Sequence, residues 1–320
     1  MKLLVTGGAG FIGSNFVRRV LDGSFAGFSQ VTVLDKLTYA GSKTSVSNFS
    51  GDFEFIQGDI CDFELVKKLL TKQDLVVNFA AETHVDRSII NSENFIQSNI
   101  KGTHTLLEVL KSMPSCSMVQ ISTDEVYGSK EKGSFTEDSP LMPNSPYSAS
   151  KASADLLCRA YEKTYGLNIK VTRCSNNYGP FQNPEKLIPL FITNILEGKK
   201  VPLYGDGNNV RDWIHVDDHC RGIYDVIQRG QSGSIYNIGG GFELSNIKLT
   251  KIILNKMNES EHLIEFVADR KGHDFRYSVN WNKIKQELGF TPKIDFEDGM
   301  LKTIAWYSEN LQWWKNLKSA

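Results

Sequence analysis

Lys2-Leu-Leu-Val-Thr-Gly7-Gly-Ala-Gly10-Phe-Ile-Gly13 opens the chain, and Ser14 to Leu21 continues it as an amphipathic run. An apolar run, a glycine cluster and a periodic segment read as strand, tight turn and helix. The spacing is G-x-x-G-x-x-G, not the commoner G-x-G-x-x-G. The physics is unchanged. Glycines let backbone N–H groups approach a pyrophosphate, and the helix N-terminus favours its charge. Taken alone, such a turn also suits plain strand-to-helix packing. The following strands decide between the two. Val31-Thr-Val-Leu34 ends at Asp35. An acid there accepts hydrogen bonds from an adenosine ribose and repels a 2′-phosphate, which favours NAD over NADP. Lys36 follows and is placed to soften that preference. Phe53-Glu-Phe-Ile56 leads to Gly58-Asp59-Ile60, where an acid can meet the adenine amino group. Leu75-Val-Val-Asn-Phe79 ends in Ala80-Ala81, small residues that let a cofactor lie close. Acids and glycines thus end successive strands on one sheet edge.

Strand and helix patterns alternate from residue 2 to about 173. Helical periodicity fits 62–72, 92–112 and 147–165, and strand patterns fit 117–122 and 168–172. This rhythm predicts βαβ units with right-handed crossovers. The fold class is therefore α/β: a Rossmann-type doubly wound parallel sheet with a smaller C-terminal substrate-binding lobe. Prolines at 180, 184 and 189 and the turn Tyr204-Gly-Asp-Gly-Asn208 break the rhythm. The expected division is 1–179 as the NAD-binding domain, with 212–238 returning to it. Residues 180–211 and 239–320 form the lobe, over the strand ends where ligands of open α/β sheets bind.

Composition sets limits. The 320 residues are 40% hydrophobic and 23% charged, ordinary for a globular protein. A net charge of −1 provides no field for nucleic acid or an anionic membrane. The first strand begins at residue 3, which leaves no room for a signal peptide. No apolar run approaches transmembrane length. Cys61, Cys116, Cys158, Cys174 and Cys220 show no C-x-x-C spacing, so free thiols in the cytoplasm are expected and no metal site.

Tyr147 and Lys151 sit one helical turn apart and share a face. A phenol must drop about 3 units, or about 4 kcal/mol, to act as a base near pH 7. A cation about 4 Å away supplies about that much at an effective dielectric of about 20. Lys151 is therefore expected to activate Tyr147. Thr123-Asp124-Glu125 follow the apolar strand Met118-Val-Gln-Ile121 and reach the same edge. Hydride transfer alone does not need two acids. They suggest an elimination joined to a redox step, with pKa values pushed apart by their surroundings.

The glycine turn, Tyr147-x-x-x-Lys151 and Asn176-Asn-Tyr-Gly-Pro180 resemble the extended short-chain dehydrogenase/reductases that act on nucleotide sugars. Four stretches are more specific: Leu37-Thr-Tyr-Ala-Gly41, Ala80-Ala-Glu-Thr-His-Val-Asp-Arg-Ser88, Ser122-Thr-Asp-Glu-Val-Tyr-Gly128 and Arg270-Lys-Gly-His-Asp-Phe-Arg-Tyr277. Together they resemble the dTDP-glucose 4,6-dehydratase family along essentially the whole chain. Thr83 stands where that family more often has serine, and it keeps the hydroxyl.

The resemblance implies a reaction on dTDP-glucose. Tyr147 takes the 4-hydroxyl proton as hydride leaves C4 for NAD+, with Thr123 or Ser122 positioning the oxygen. Glu125 then takes the C5 proton. Protonated Asp124 donates to the departing C6 hydroxyl, and hydride returns to C6. By the same resemblance the cofactor also meets Phe11, Ile12, Thr38, Ile60, Thr83, Asn99 and Asn177. His84, Asp86 and Arg87 line the sugar side. Arg211, Arg276 and Lys186 are candidates to hold the diphosphate, with His273, Asn176 and Asn177 as further donors. Leu187, Pro202, Tyr204, Asn246 and Arg270 complete the substrate set. Family members pair through two helices as a four-helix bundle, so a homodimer through 95–110 and the Lys151 helix is expected. A 4-epimerase, a uronate decarboxylase, a UDP-glucose 4,6-dehydratase and a non-catalytic NAD sensor are the alternatives. Asp124 argues against the epimerase and the decarboxylase, and the Tyr147–Lys151 pair against the sensor.

Overall fold

A computed structural model describes residues 1–47 and 49–318. Its strands, in chain order, are β1 (Lys2–Thr6), β2 (Gln30–Asp35), β3 (Glu54–Gln57), β4 (Leu75–Asn78), β5 (Ser117–Thr123) and β6 (Ile169–Cys174). β7 (Asn176–Tyr178), β8 (Val201–Tyr204), β9 (Val210–His215), β10 (Ile235–Ile238), β11 (Glu243–Ser245) and β12 (Ile264–Val267) follow. Seven of them form one sheet in the order β10-β6-β5-β4-β1-β2-β3. Every pairing in it is parallel. The chain order reverses between β1 and β4, which makes a crevice beyond their carboxyl ends.

Both faces of this sheet are covered, so its strands read as continuous apolar runs. On one face, Phe16 and Val17 of helix Phe11–Leu21 pack with Ile223 and Val226 of helix Val216–Arg229. On the other, Val66, Leu69, Leu106, Leu110 and Cys158 pack over Leu4, Val76 and Met118. Gly13 lets the first helix lie close over its strand: a Cβ there would stand 2.4 Å from the Gly7 carbonyl oxygen. Helix Pro146–Tyr165 starts on a Ser145–Ser148 capping box with proline in its first turn, and stops at left-handed Gly166.

The predicted helix over 92–112 runs without a break from Glu93 to Leu110 but is not uniformly α-helical. It divides into Glu93–Phe95, a π-helical stretch Ile96–Gly102 and Thr103–Leu110. The reason is a tertiary clamp. Asn99 Nδ2 donates to the Glu82 carbonyl at 3.0 Å and to Ser150 Oγ at 2.8 Å, while its Oδ1 accepts from Glu82 N at 2.9 Å. A widened turn of this kind recurs beside functional sites.

A second core contains Ile192, Leu249, Ile253, Met300, Tyr307 and Trp314, together with Val201 and Leu203 of β8. Trp306 and Trp313 pack against it. Two segments lie outside the expected division. Residues 212–215 belong to β9, which pairs with β7 and β11 in a separate three-stranded sheet. Helix Asn282–Leu288 packs Ile284 and Leu288 into the main-sheet core, because its apolar face meets Tyr236 and Ile238 there. No helix among the described residues is long and apolar enough to cross a membrane.

Candidate active site

A cleft of about 1540 Å³, counting space open to solvent, runs over the carboxyl ends of β1, β2, β4, β5 and β6. Gly7, Gly10, Phe11, Ile12 and Gly13 form its floor, with Asp35, Lys36, Thr38, Asp59 and Ile60 at one end. Ala80, Ala81, Thr83, Ser122, Tyr147, Lys151 and Asn177 line the remainder of the expected cofactor path. Asn99 does not line it. Its amide is occupied by Glu82 and Ser150 behind the wall, so it shapes the loop after β4 instead.

Gly7 has φ +70, and a Cβ on it would stand 2.5 Å from Ala80 N. The backbones of the first turn and the β4 loop therefore touch, as a cradle for a flat dinucleotide requires. Asp35 Oδ2 accepts from Ala9 N at 2.9 Å and Oδ1 from Leu37 N at 2.7 Å. These bonds fix the carboxylate at the cradle's rim. Lys36 does not face a 2′-phosphate alone: its ammonium pairs with Asp59 Oδ2 at 2.7 Å. Five buried polar atoms on cleft-lining residues have no protein partner among the described residues. They are Ser122 Oγ, Asp124 Oδ2, Asn176 Oδ1, Gln182 Oε1 and Glu185 Oε1. Buried polar groups are normally paired. This set, above a glycine cradle, fits a bound dinucleotide with a second polar ligand.

β5 delivers Thr123, and the 3₁₀ turn Asp124–Tyr127 follows at once. Thr123 caps that turn, accepting at Oγ1 from Glu125 N at 3.3 Å and donating to Asp124 Oδ1 at 3.2 Å. The cap aims both acids at the cleft, beside Tyr147. Their surroundings differ. Burial, then Glu125 and Asp212, push Asp124 well above the usual carboxylate range, against the single opposing guanidinium of Arg211. Burial also raises Glu125, but Arg270, Arg211 and Lys186 all oppose it. Both acids are thus raised by burial, Asp124 well above the usual range and Glu125 against three opposing cations.

Tyr147 departs from the sequence expectation. Burial pushes its phenol well above the ordinary value, and Glu125 and Cys174 add to that, while a Thr123 hydrogen bond opposes. Lys151 donates to the Ile121 carbonyl at 2.6 Å, and burial lowers its pKa. Lys151 is not among the main influences on the phenol, of which burial is the largest.

Only part of the expected substrate set lines this cleft: Thr123, Asn176 and Lys186 do. Lys186 is anchored to the Thr83 carbonyl at 2.9 Å. His84 and Arg87 lie behind Glu185, with His84 Nε2 at 3.6 Å and Arg87 Nη2 at 3.3 Å from its Oε2. Burial pushes His84 down to about 4, so its ring is neutral at pH 7. Asp86 accepts from Tyr204 OH at 3.3 Å, and His273 meets the same tyrosine edge-on. Arg211 is buried over the Tyr277 ring and donates to the Asp274 carbonyl at 3.0 Å. Arg276 is held bidentately by Glu243, both bonds at 2.8 Å. Leu187 opens the helix after Lys186, Pro202 lies in β8, and Asn246 opens helix Asn246–Lys256 with Oδ1 unpartnered among the described residues. Arg270 Nε is likewise buried without a partner among the described residues. Glu82, Gln182 and Glu185 line the cleft without having been singled out. Their signal was adjacency: Glu82 precedes Thr83, and Glu185 precedes Lys186.

Comparison with known proteins supplies the family. Residues 4–303 match the family model described as GDP-mannose 4,6 dehydratase. A dTDP-glucose 4,6-dehydratase of Actinoplanes sp. is 52% identical over 319 residues, covering 98% of this chain and 100% of that one. The crystal structure of DesIV, a dTDP-glucose 4,6-dehydratase from Streptomyces venezuelae with NAD and TYD bound, superposes with a TM-score of 0.98 at 53% identity. That match covers 99% of this chain and 100% of DesIV. A UDP-glucose 4-epimerase from Thermotoga maritima with UDP-glucose is more distant, at TM-score 0.90 and 29% identity, with 97% and 100% covered. The fold is thus shared with the epimerases, but half of all residues are shared with the dehydratases, and the chain belongs to the dTDP-glucose 4,6-dehydratase family.

Proposed function

We propose that the cleft converts dTDP-glucose to dTDP-4-keto-6-deoxyglucose, with NAD as a resident cofactor and no net change in it. The observation that carries this reading is the contrast between two adjacent acids. Asp124 is raised with one cation against it, and Glu125 has three. An elimination needs such a pair, and a 4-epimerisation does not.

The glycine turn, Asp35 and Asp59 hold NAD, and the bound cofactor supplies a hydride acceptor and donor over the sugar. Tyr147 removes the 4-hydroxyl proton, and the Thr123 hydroxyl steadies the same oxygen. Lys151 and the cofactor's positive ring together offset the desolvation that keeps the phenol protonated in the protein alone. The 4-ketone acidifies the adjacent C5–H, and Glu125 accepts that proton. Asp124 donates its proton to the C6 hydroxyl, and water leaves. Burial of the acids keeps bulk water from competing.

Arg270, Arg211 and Lys186 are the cations that act on Glu125, and on this reading they bind the diphosphate end, with Arg276 joining them after release from Glu243. The division into 1–179 with 212–238, and 180–211 with 239–320, is proposed as cofactor domain and substrate lobe, with 212–215 reassigned to the latter and Asn282–Leu288 to the former. Cytoplasmic location is proposed from the five free thiols, four of them buried. A homodimer is proposed through helix Pro146–Tyr165 and the 95–110 stretch, where Leu156 is 55% and Ile96 50% exposed. The test is incubation with dTDP-glucose and, separately, UDP-glucose, followed by alkaline absorbance and mass spectrometry. A keto product 18 mass units lighter, about one water, supports the reading, and preference for UDP-glucose overturns the nucleotide assignment.

A further inference from the structure

Gln182 lines the cleft and is 8% exposed, and nothing in the proposed reaction uses it. Its Nε2 donates to the Asn177 carbonyl at 2.9 Å. That bond settles which way the amide points, because a carbonyl only accepts. Oε1 is therefore the free end, buried with no hydrogen-bond partner among the described residues. Three helices hold the turn that bears it. Asn15 Nδ2 of helix Phe11–Leu21 donates to the Pro180 carbonyl at 3.2 Å, and the Arg18 guanidinium of that helix lies 3.5 Å from the centre of the Phe181 ring. His219 of helix Val216–Arg229 meets Asn177 Oδ1 at 2.9 Å. Tyr307 OH of helix Phe296–Glu309 donates to the backbone carbonyl of Gln182 itself.

A buried acceptor without a partner is costly, so Oε1 calls for an N–H or O–H donor from a ligand. Position narrows the choice. Helices Phe11–Leu21 and Val216–Arg229 cover one face of the main sheet, and helix Pro146–Tyr165 covers the other. Gln182 thus reaches the cleft from the face opposite Tyr147, which holds the sugar. The adenosine end lies elsewhere too. Asp35 ends β2 and Asp59 follows β3, on one side of the sheet, whereas β6 leads into the 175–182 turn on the other, with β1, β4 and β5 between. The pyrophosphate between the two halves of a dinucleotide donates nothing. What reaches the 175–182 turn is the nicotinamide end, and its terminal donor is the carboxamide NH2.

We propose that Gln182 binds the nicotinamide carboxamide: Oε1 accepts from its N–H and so fixes which face the ring turns to the sugar. This role rests on the reading of the cleft given above. The competing reading makes Gln182 a strut for the Asn177 backbone. A strut stabilises the turn but does not tell a carboxamide from a group of the same shape without N–H.

The test uses the full-length protein and 3-acetylpyridine adenine dinucleotide, in which a methyl replaces the carboxamide NH2 and the carbonyl stays. Wild type, Gln182→Met and Gln182→Ala are each equilibrated with equal excesses of NAD+ and this analogue. Free cofactor is removed by gel filtration, and the bound ratio is read by mass spectrometry. Wild type is expected to favour NAD+ by about 5- to 150-fold, the range for leaving one buried acceptor unpaired. Both variants should move the ratio toward one by about fivefold or more. A wild-type ratio near one overturns the proposal, whether or not the variants fold. An unchanged ratio in a folded variant also overturns it, and assigns Gln182 to a sugar hydroxyl where KM for dTDP-glucose rises and to the strut where it does not. Failure of both variants to fold overturns it as well, since that marks the strut. A wild-type protein that shows the NAD+ preference but does not turn over dTDP-glucose refutes the proposed function instead, which is a distinguishable result.

Discussion

Asp124→Asn is the substitution whose consequences the structure fixes most closely. Asp124 is 2% exposed; Oδ1 accepts from Thr123, and Oδ2 has no partner among the described residues. An asparagine keeps the shape and the Thr123 bond, and its amide takes the place of an oxygen that nothing holds. The fold therefore stays. What is lost is a transferable proton. General acid catalysis is worth about 10²–10⁴-fold, or about 3–5 kcal/mol, and the loss falls on the elimination step. C4 oxidation, which uses Tyr147, stays within a few-fold. Stability moves the opposite way. Because burial raises the folded-state pKa of Asp124, the native state binds more protons than the unfolded state above about pH 4. Stability therefore falls as pH rises through that window, and the ceiling on this cost at pH 7 is about 4 kcal/mol. Asp124→Asn removes it, so the variant melts higher than wild type at pH 7 and no higher below about pH 4. Single-turnover absorbance of the reduced cofactor, mass analysis of the sugar and melting at both pH values provide the assay. A reduced cofactor that accumulates with no loss of water is expected. Equal slowing of both steps, or a variant less stable at pH 7, refutes the assignment.

Tyr147→Phe should leave dTDP-glucose affinity within a few-fold and reduce C4 oxidation by about 10²–10⁴-fold, measured by isothermal titration and by formation of the reduced cofactor; near-normal turnover means Tyr147 is not the base. Arg276→Met should raise KM for dTDP-glucose about 10- to 150-fold with little change in kcat, the value of about 1.5–3 kcal/mol for a hydrogen bond to a charged group. An unchanged KM means that Arg276 stays with Glu243. Gly7→Ala places a methyl 2.5 Å from Ala80 N at φ +70, so the purified protein should lose bound cofactor and melt lower. Leu156→Arg places a charge on the proposed dimer face and should halve the mass measured by light scattering at micromolar protein; unchanged mass removes that face from the interface.

The sequence made the cofactor half of the site legible because each element there has its own local signal. A glycine that must have positive φ, an acid ending β2 and small residues ending β4 follow from the backbone alone. The widened turn Ile96–Gly102 was not legible, because its apolar periodicity passes for one long helix and its cause, the Asn99 clamp on Glu82, spans 17 positions. Lys36 and Arg276 read as free cations, yet each has a carboxylate partner, Asp59 and Glu243, brought in by folding. The activation of Tyr147 was argued from one neighbouring charge. Burial from every side opposes it, and no sequence window contains that sum. Helix Asn282–Leu288 was placed with its chain neighbours, but its apolar face matches Tyr236 and Ile238.

Fate of a label at C4 tests the central claim most directly. Incubation of the protein with dTDP-glucose carrying deuterium at C4, in ordinary water, should give a 4-keto-6-deoxy product with that deuterium at C6, as seen by NMR. A product with the label washed out, or a sugar inverted at C4 with its C6 hydroxyl intact, would contradict a shared site for Tyr147, Glu125 and Asp124.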